Sequence, residues 1–366
     1  MTISNDAPSR RSLIAGAALG GLGLTLPMAP AIASERFRWR LVTSWPKGAP
    51  GPGTTADRLA AAITALSQGR LTVEVYGAGE LVPAFEVFDA VAAGTAQMGH
   101  SASFFWSGKM AAAPFFTAVP FGLTPEAHNA WITYGGGQAL WDELYDGFGI
   151  KPFLAGNSGF QMGGWYNREI DGLDDFKGLK IRMPGLGGEV VRRLGATPVS
   201  LPPGEIHGAL RGGVIDAAEF LGPWSDSALG LNQAARFYYW PGFHEPNGSA
   251  ECLVNREALE TLPKDLRQLV NIVCAAENQR GLSEAEWFNA LTLSKIEQDQ
   301  SVALRRFPPK VLNAARETAT EVLTEVAAKN DIAGRIYESY DAARTAAIGW
   351  GRVSRHALLE AQLNGA

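Results

Sequence analysis

Two hydrophobic periods take turns along the chain. Residues 38–45 ("RWRLVTSW"), 71–77 ("LTVEVYG"), 179–185 ("LKIRMPG") and 214–220 ("VIDAAEF") alternate or are rich in β-branched side chains, the pattern of strands with a buried face. Between them run segments with apolar residues three and four apart. "TTADRLAAAITALSQG" is the clearest, with Thr54 or Thr55 expected as its cap and Gly69 as its stop. Strands interleaved with helices predict an α/β fold with helices on both faces of a sheet. "AECLVN" reads as a further strand and "LVNIVCAAEN" as a buried helix face, so Cys252 and Cys274 are expected to be unpaired core residues.

The same pattern occurs twice. "EVFDAVAAGTAQMGHS" (86–101) and "EIHGALRGGVIDAAEF" (205–220) share Glu, an aliphatic residue, a helical turn with Ala at the fifth place and Gly at the ninth. Each should be a helix stopped at that Gly and followed by a short strand. Two lobes of similar design fit this, with His100-Ser101 in one and Glu219 in the other directed to a shared cleft at the strand ends. From Pro309 to about Gln362 the apolar spacing is helical throughout, in one long helix or two consecutive ones. Such a segment either braces both lobes or reaches a partner chain.

Charge and composition narrow the functional classes. The 366 residues carry a net charge of −5 and no basic run, which argues against nucleic acid. Arg10-Arg11, an apolar stretch and Ala31-Ile32-Ala33 form a twin-arginine export signal. Its apolar part, Leu13 to Leu26, is shorter than the ~20 residues that span a bilayer, so processing is favoured over anchoring. Removing 1–33 takes away two arginines and one aspartate and moves the charge from −5 to −6.

Four segments offer chemistry. In "VIDAAEFLGPW" the Glu219 carboxylate sits inside an apolar run, which is costly unless a cation meets it. "GNSGFQMGGWYN" places Gln161 among glycines that let backbone come close to a ligand. "LKIRMPGLGGEVV" sets Arg182 at a strand end before a glycine-rich helix start, suited to bidentate grip of a carboxylate. "PGFHEPNGS" carries Glu245 in a loop, with His244 beside it read as structural. No dinucleotide fingerprint, phosphate loop, nucleophile elbow or zinc spacing occurs. Glu219 and Glu245 as a glycosidase pair, with ten tryptophans for sugar stacking, is the enzymatic alternative; a metal-free sugar or polyol receptor is another.

Taken together, "GHSASFFWSGKMAAAPFFTAVPFGLT", "FKGLKIRMPGLGGEVVRRLGATPVSLPPGEI", "GVIDAAEFLGPWSDSALGL" and "YYWPGFHEPN" resemble the extracytoplasmic solute receptors of TRAP transporters. The resemblance covers essentially the whole exported chain and is nearest to the 2-oxo acid and lactate branch. It implies a two-lobed α/β periplasmic binding protein fold with an inter-lobe cleft and a long C-terminal helix. Residues 1–33 would be the signal, 34–156 with 246–308 lobe I, 157–245 lobe II, and 309–366 a C-terminal segment for bracing or dimerisation.

The implied function is binding, without catalysis, of a small 2-oxo or 2-hydroxy monocarboxylate in the periplasm, for delivery to a TRAP membrane permease. In that branch a metal ion bridges the ligand's carboxylate and its neighbouring oxygen. The resemblance assigns the ion to the Gln161 side chain, the Glu219 carboxylate, the Phe220 carbonyl oxygen and the Glu245 carboxylate, and the ligand carboxylate to Arg182. Oxygen ligands suit sodium or calcium. Gln161, Asn157, Phe105, Trp165 and Trp224 are further ligand-contact or cleft candidates, and the resemblance admits a homodimer through the C-terminal helix. One departure stands out: relatives tend to carry Tyr where "ASFFW" has Phe104 and Phe105, which makes that wall apolar.

Overall fold

The strands form two sheets. The computed structural model describes residues 35–364, so the export-signal segment lies outside the described residues. In chain order the strands are β1 (Phe37–Thr43), β2 (Leu71–Tyr76), β3 (Met98–Ser101), β4 (Ile150–Asn157), β5 (Gly164–Tyr166), β6 (Lys180–Arg182), β7 (Thr197–Val199), β8 (Ala217–Ala218), β9 (Phe237–Trp240), β10 (Ser249–Asn255) and β11 (Ala303–Arg306). The first sheet runs β2-β1-β3-β10-β4 and the second β11-β9-β5-β8-β6-β7. In the first, β1 is parallel to β2 and β3, while β10 is antiparallel to β3 and β4. In the second, β6 is parallel to β7 and β8, and β5 is antiparallel to β8 and β9.

Direction matters more than count. In the second sheet β6, β8 and β9 all point one way, so the residues after them share one edge with the residues before β5. In the first sheet β3 and β4 point together, and β10 starts where they end. These two edges bound the cleft.

The two repeated segments fold alike. Helix Val87–Ala92 ends before Gly94, and helix Pro203–Arg211 ends before Gly213. Both glycines hold φ at +71°, the left-handed conformation that a β-carbon disfavours. Strands β3 and β8 follow, putting His100 and Glu219 at equivalent places. The first long helix is Pro52–Leu66, one turn earlier than its expected threonine caps. Gly51 is its cap and Pro52, with its fixed φ, its first residue, while the Thr54 and Thr55 hydroxyls donate to the Gly51 carbonyl.

Three further differences have local causes. Only Ala217–Ala218 of the expected strand 214–220 is paired, because Asp216 is tied to Lys180 by two bonds and Glu219 turns toward Arg182. Residues 183–185 leave the expected strand, since Gly185 already opens the helix Gly185–Arg193. Strand β11, expected with lobe I, pairs in parallel with β9 of the second sheet. Cys252 and Cys274 are free and buried in one apolar cluster, as expected.

The long helix Lys264–Gln298 packs against both β4 and the helix Pro223–Ala228, so it spans the cleft. The C-terminal region is a series of helices. Pro309–Ala327 packs on Gly185–Arg193, and Asp331–Gly351 packs on Pro125–Tyr134 and Gly137–Asp146. It therefore braces both sheets' bodies. The Asn330 side chain caps the second helix by accepting from the Ala333 amide. No described helix is long and apolar enough to cross a membrane.

Candidate functional site

Three strand ends and one crossing segment bring the charged groups together. Arg182 closes β6, Glu219 and Phe220 follow β8, and Glu245 lies in the loop after β9. Gln161 sits in the crossing between β4 and β5. All are buried: Arg182 is 2% exposed, Glu219 1%, Glu245 3% and Gln161 5%.

The cost of a carboxylate inside the "VIDAAEF" run is met in the first instance by Arg182. Its Nη1 donates to Glu219 Oε1 at 2.5 Å and to the Glu219 carbonyl oxygen at 2.7 Å. Its Nε donates to the Leu201 carbonyl at 3.4 Å, and its guanidinium lies 5.9 Å from the centre of the Phe220 ring. The Glu219 amide in turn donates to the Arg182 carbonyl at 3.0 Å, so two neighbouring strand ends lock each other.

The second oxygen of Glu219 is held by His244, whose Nε2 stands 3.1 Å from Oε2. A carboxylate only accepts, so Nε2 carries the proton, and the buried Nδ1 has no partner among the described residues. His244 thus fixes a carboxylate that the sequence singled out. The only signal was its place beside Glu245.

Glu245 has no cation of its own. Burial and the neighbouring Glu219 push its carboxyl well above the usual range, opposed by Arg182 and Gln161. Oxygen and nitrogen atoms of Glu219, His244 and Glu245 lie within 4.8 Å of one another. Gln161 donates through Nε2 to Ser158 Oγ at 2.9 Å, but its buried Oε1 has no partner among the described residues. The amide fills the space beside Gly248: a β-carbon there would collide with Gln161 Nε2 and Ser158 Oγ, so a side chain at that position would displace the amide.

An orphaned carbonyl oxygen and two buried carboxylates sharing one guanidinium form an electron-rich pocket short of positive charge. Buried acceptors are normally satisfied, so this donor set fits a hard cation of the sodium or calcium type.

The surrounding cleft holds about 710 Å³ of space free of protein atoms, open solvent included. Phe105 and Trp224 line it, as does Phe104. Phe105 packs on Phe85 and Phe104 with ring centres 4.8 and 4.6 Å away, and Trp224 stacks on Phe288 at 4.9 Å. Asn157 also lines the cleft, but its Nδ2 is spent on Asn247 Oδ1 (2.8 Å) and Ser249 Oγ (3.2 Å). Only Oδ1, which accepts from the Gly159 amide, has capacity left. His100 reaches the cleft as expected, held neutral: Trp45 donates to Nδ1, Nε2 faces the Ala155 carbonyl, and burial lowers its pKa to about 4. Ser101 pairs with Ser44 behind it.

The family described as bacterial extracellular solute-binding protein, family 7, matches residues 41–330. The chain belongs to that family. Among relatives of this solute-binding protein, a monocarboxylate 2-oxoacid-binding periplasmic protein of Nostoc sp. is 40% identical over 317 residues, covering 87% of this chain and 86% of the relative. A TRAP transporter solute-binding protein of Bordetella bronchiseptica, solved as a dimer with calcium and picolinate in one site and an apo second site, superposes with a TM-score of 0.88. It is 37% identical, over 90% of this chain and 98% of that one. A TRAP solute-binding protein of Pseudoalteromonas atlantica with bound sodium and pyruvate gives 0.86 at 37% identity, over 89% and 99% of the chains.

These findings displace both alternatives. The hydrolase reading of Glu219 and Glu245 gives way to membership of a solute-binding family. The sugar-stacking reading fails because half of the ten tryptophans that suggested it are core residues: Trp39, Trp106, Trp131, Trp141 and Trp165, the last expected in the cleft, are buried in the apolar clusters. Trp45 and Trp224 alone of the ten tryptophans line the cleft.

Proposed function

We propose that this receptor holds a small 2-oxo or 2-hydroxy monocarboxylate together with a sodium or calcium ion between its two lobes. The observation that carries the reading is the unpartnered Gln161 Oε1 beside two buried carboxylates that share a single guanidinium. Arg182 offsets one carboxylate. A second carboxylate and an incoming organic anion leave an excess of buried negative charge, which is costly without a further cation.

The ion's ligands in this reading are Gln161 Oε1, the Glu219 and Glu245 carboxylates and the Phe220 carbonyl oxygen. A cation there supplies positive charge to the ligand's carboxylate and its neighbouring oxygen. Arg182 binds the ligand carboxylate, its Nη2 having no hydrogen bond among the described residues. Asn157 Oδ1 orients the ligand, and Phe105 and Trp224 wall its hydrocarbon part. The 2-oxo acid assignment draws on the Nostoc relative and on the pyruvate found in the Pseudoalteromonas structure.

Lobe I comprises 34–156 with most of 246–308, lobe II 157–245 with β11. Export through the twin-arginine route to the periplasm and delivery to a TRAP permease complete the role. The C-terminal helices leave Trp350, Leu358 and Leu359 exposed, which supports a homodimer through that segment.

A thermal-shift screen of short 2-oxo and 2-hydroxy acids, with and without each ion, tests the reading. Ligand at a hundred times its Kd adds about 2.7 kcal/mol of stability, a rise of several degrees. A rise with sugars or polyols and none with 2-oxo acids plus ion would overturn it.

A further inference from the structure

A buried carboxylate that touches no ligand stands behind the apolar wall of the cleft. Glu251 lies mid-strand in β10 and is fully buried. Its Oε1 accepts from Trp106 Nε1 at 2.5 Å, and its Oε2 from the Ser103 and Tyr145 hydroxyls, both at 3.0 Å. Ser103 and Trp106 are the two ends of one short 3₁₀ turn. The residues between them are Phe104 and Phe105, both facing the cleft. One carboxylate therefore pins the turn at both ends.

That turn also makes one of the contacts between the lobes. Gly185, which follows Arg182 and Pro184, holds φ at +64°, and a β-carbon there would lie 3.1 Å from the Phe104 β-carbon. Phe104 is thus seated against the backbone that carries the arginine. The same device recurs opposite: buried Asp226 accepts from Trp165 Nε1 (3.1 Å), the Tyr238 hydroxyl (2.9 Å) and the Leu221 amide (3.0 Å), beside Phe220 and Trp224.

We propose that Glu251 is a positioning residue that sets the ligand selectivity of the cleft, holding the Ser103–Trp106 turn so that Phe105 limits the ligand's length and Phe104 seals against Gly185. This rests on the reading of the cleft as a 2-oxo acid site. Three donors converge on Glu251: the Trp106 indole N–H can only donate, and the Ser103 and Tyr145 hydroxyls spend their protons on the carboxylate. Glutamine has the same shape and its Oε1 can still accept from Trp106, but its NH₂ then faces the two hydroxyls, whose protons lose their charged acceptor, and the hold on the Ser103 end of the turn weakens.

The test is calorimetry of pyruvate and of the longer, branched 4-methyl-2-oxopentanoate in the presence of calcium. Wild type, Glu251→Gln and the milder Ser103→Ala, which removes one donor and leaves the core filled, are compared. The affinity ratio should move about tenfold toward the longer acid in Glu251→Gln, with a smaller shift of the same sign in Ser103→Ala. Calcium binding itself should be unchanged, because no residue of the turn is an ion ligand. A merely structural role would weaken both acids by a common factor, so an unmoved ratio in both variants overturns the inference while leaving the 2-oxo acid reading intact. A wild type that binds neither acid overturns both.

Discussion

Gln161→Leu separates an ion ligand from a structural amide. In this structure Oε1 is buried without a partner, and an unsatisfied buried acceptor costs about 1–3 kcal/mol. Leucine has a similar size and removes that cost. It also loses the Nε2 bond to Ser158, which contributes about 0.5–1.5 kcal/mol. The net effect on the ion-free protein therefore lies between about 0.5 kcal/mol of destabilisation and about 2.5 kcal/mol of stabilisation. Ion binding should move the opposite way. Losing even an outer-sphere partner of a metal typically costs 10–100-fold in affinity, so loss of a direct ligand should cost at least about tenfold. The assays are urea unfolding of chelated protein and calorimetric titration with calcium. A variant clearly less stable than wild type, with calcium affinity unchanged, would refute the assignment and make the amide a structural residue.

Two further outcomes follow from the same geometry. Arg182→Lys keeps the positive charge but offers one ammonium where the guanidinium serves the Glu219 carbonyl, its carboxylate and the ligand; 2-oxo acid affinity should fall about 10–100-fold with the fold retained, and calorimetry showing equal affinity would take the fork out of the account. His128 is buried with Nδ1 against Ser249 Oγ and Nε2 against the Phe115 carbonyl, and burial lowers its pKa from 6.5 to about 4. The unfolded chain therefore binds the proton first, and the stability gained by keeping His128 neutral is lost as pH falls from about 6.5 to about 4. Wild type should lose up to about 3 kcal/mol relative to His128→Asn over that window, read by urea unfolding at stepped pH; a constant gap would show that the ring takes up its proton equally in the folded and unfolded states.

What could be read from the sequence was whatever depends on near neighbours. The alternation around Arg182 and Glu219, and the glycines at 94 and 213, are local patterns, and the strand-end placement follows from them. The extent of β8 was over-read because pairing there is ended by side chains, Asp216 reaching Lys180 and Glu219 reaching Arg182, rather than by turn residues. Strand β11 carries no mark of the sheet it joins, since either sheet would accept its short "ALRR" run. The partners of His244, read as structural, and of Glu251 were invisible for a deeper reason. One looks like a loop histidine and the other like a charge interrupting a strand, and their roles arise only when Glu219, or Trp106 with Tyr145, is folded against them. Asn157 shows the converse: it reaches the cleft as anticipated, yet its donors are spent within the scaffold.

The central claim is that ion and organic anion bind as a unit between Gln161, Glu219, Glu245 and Arg182. Its most direct test is calorimetric titration of chelator-treated protein with pyruvate in sodium-free buffer, repeated after calcium is restored. The account predicts binding heat only when the ion is present. The same affinity in both titrations would contradict it.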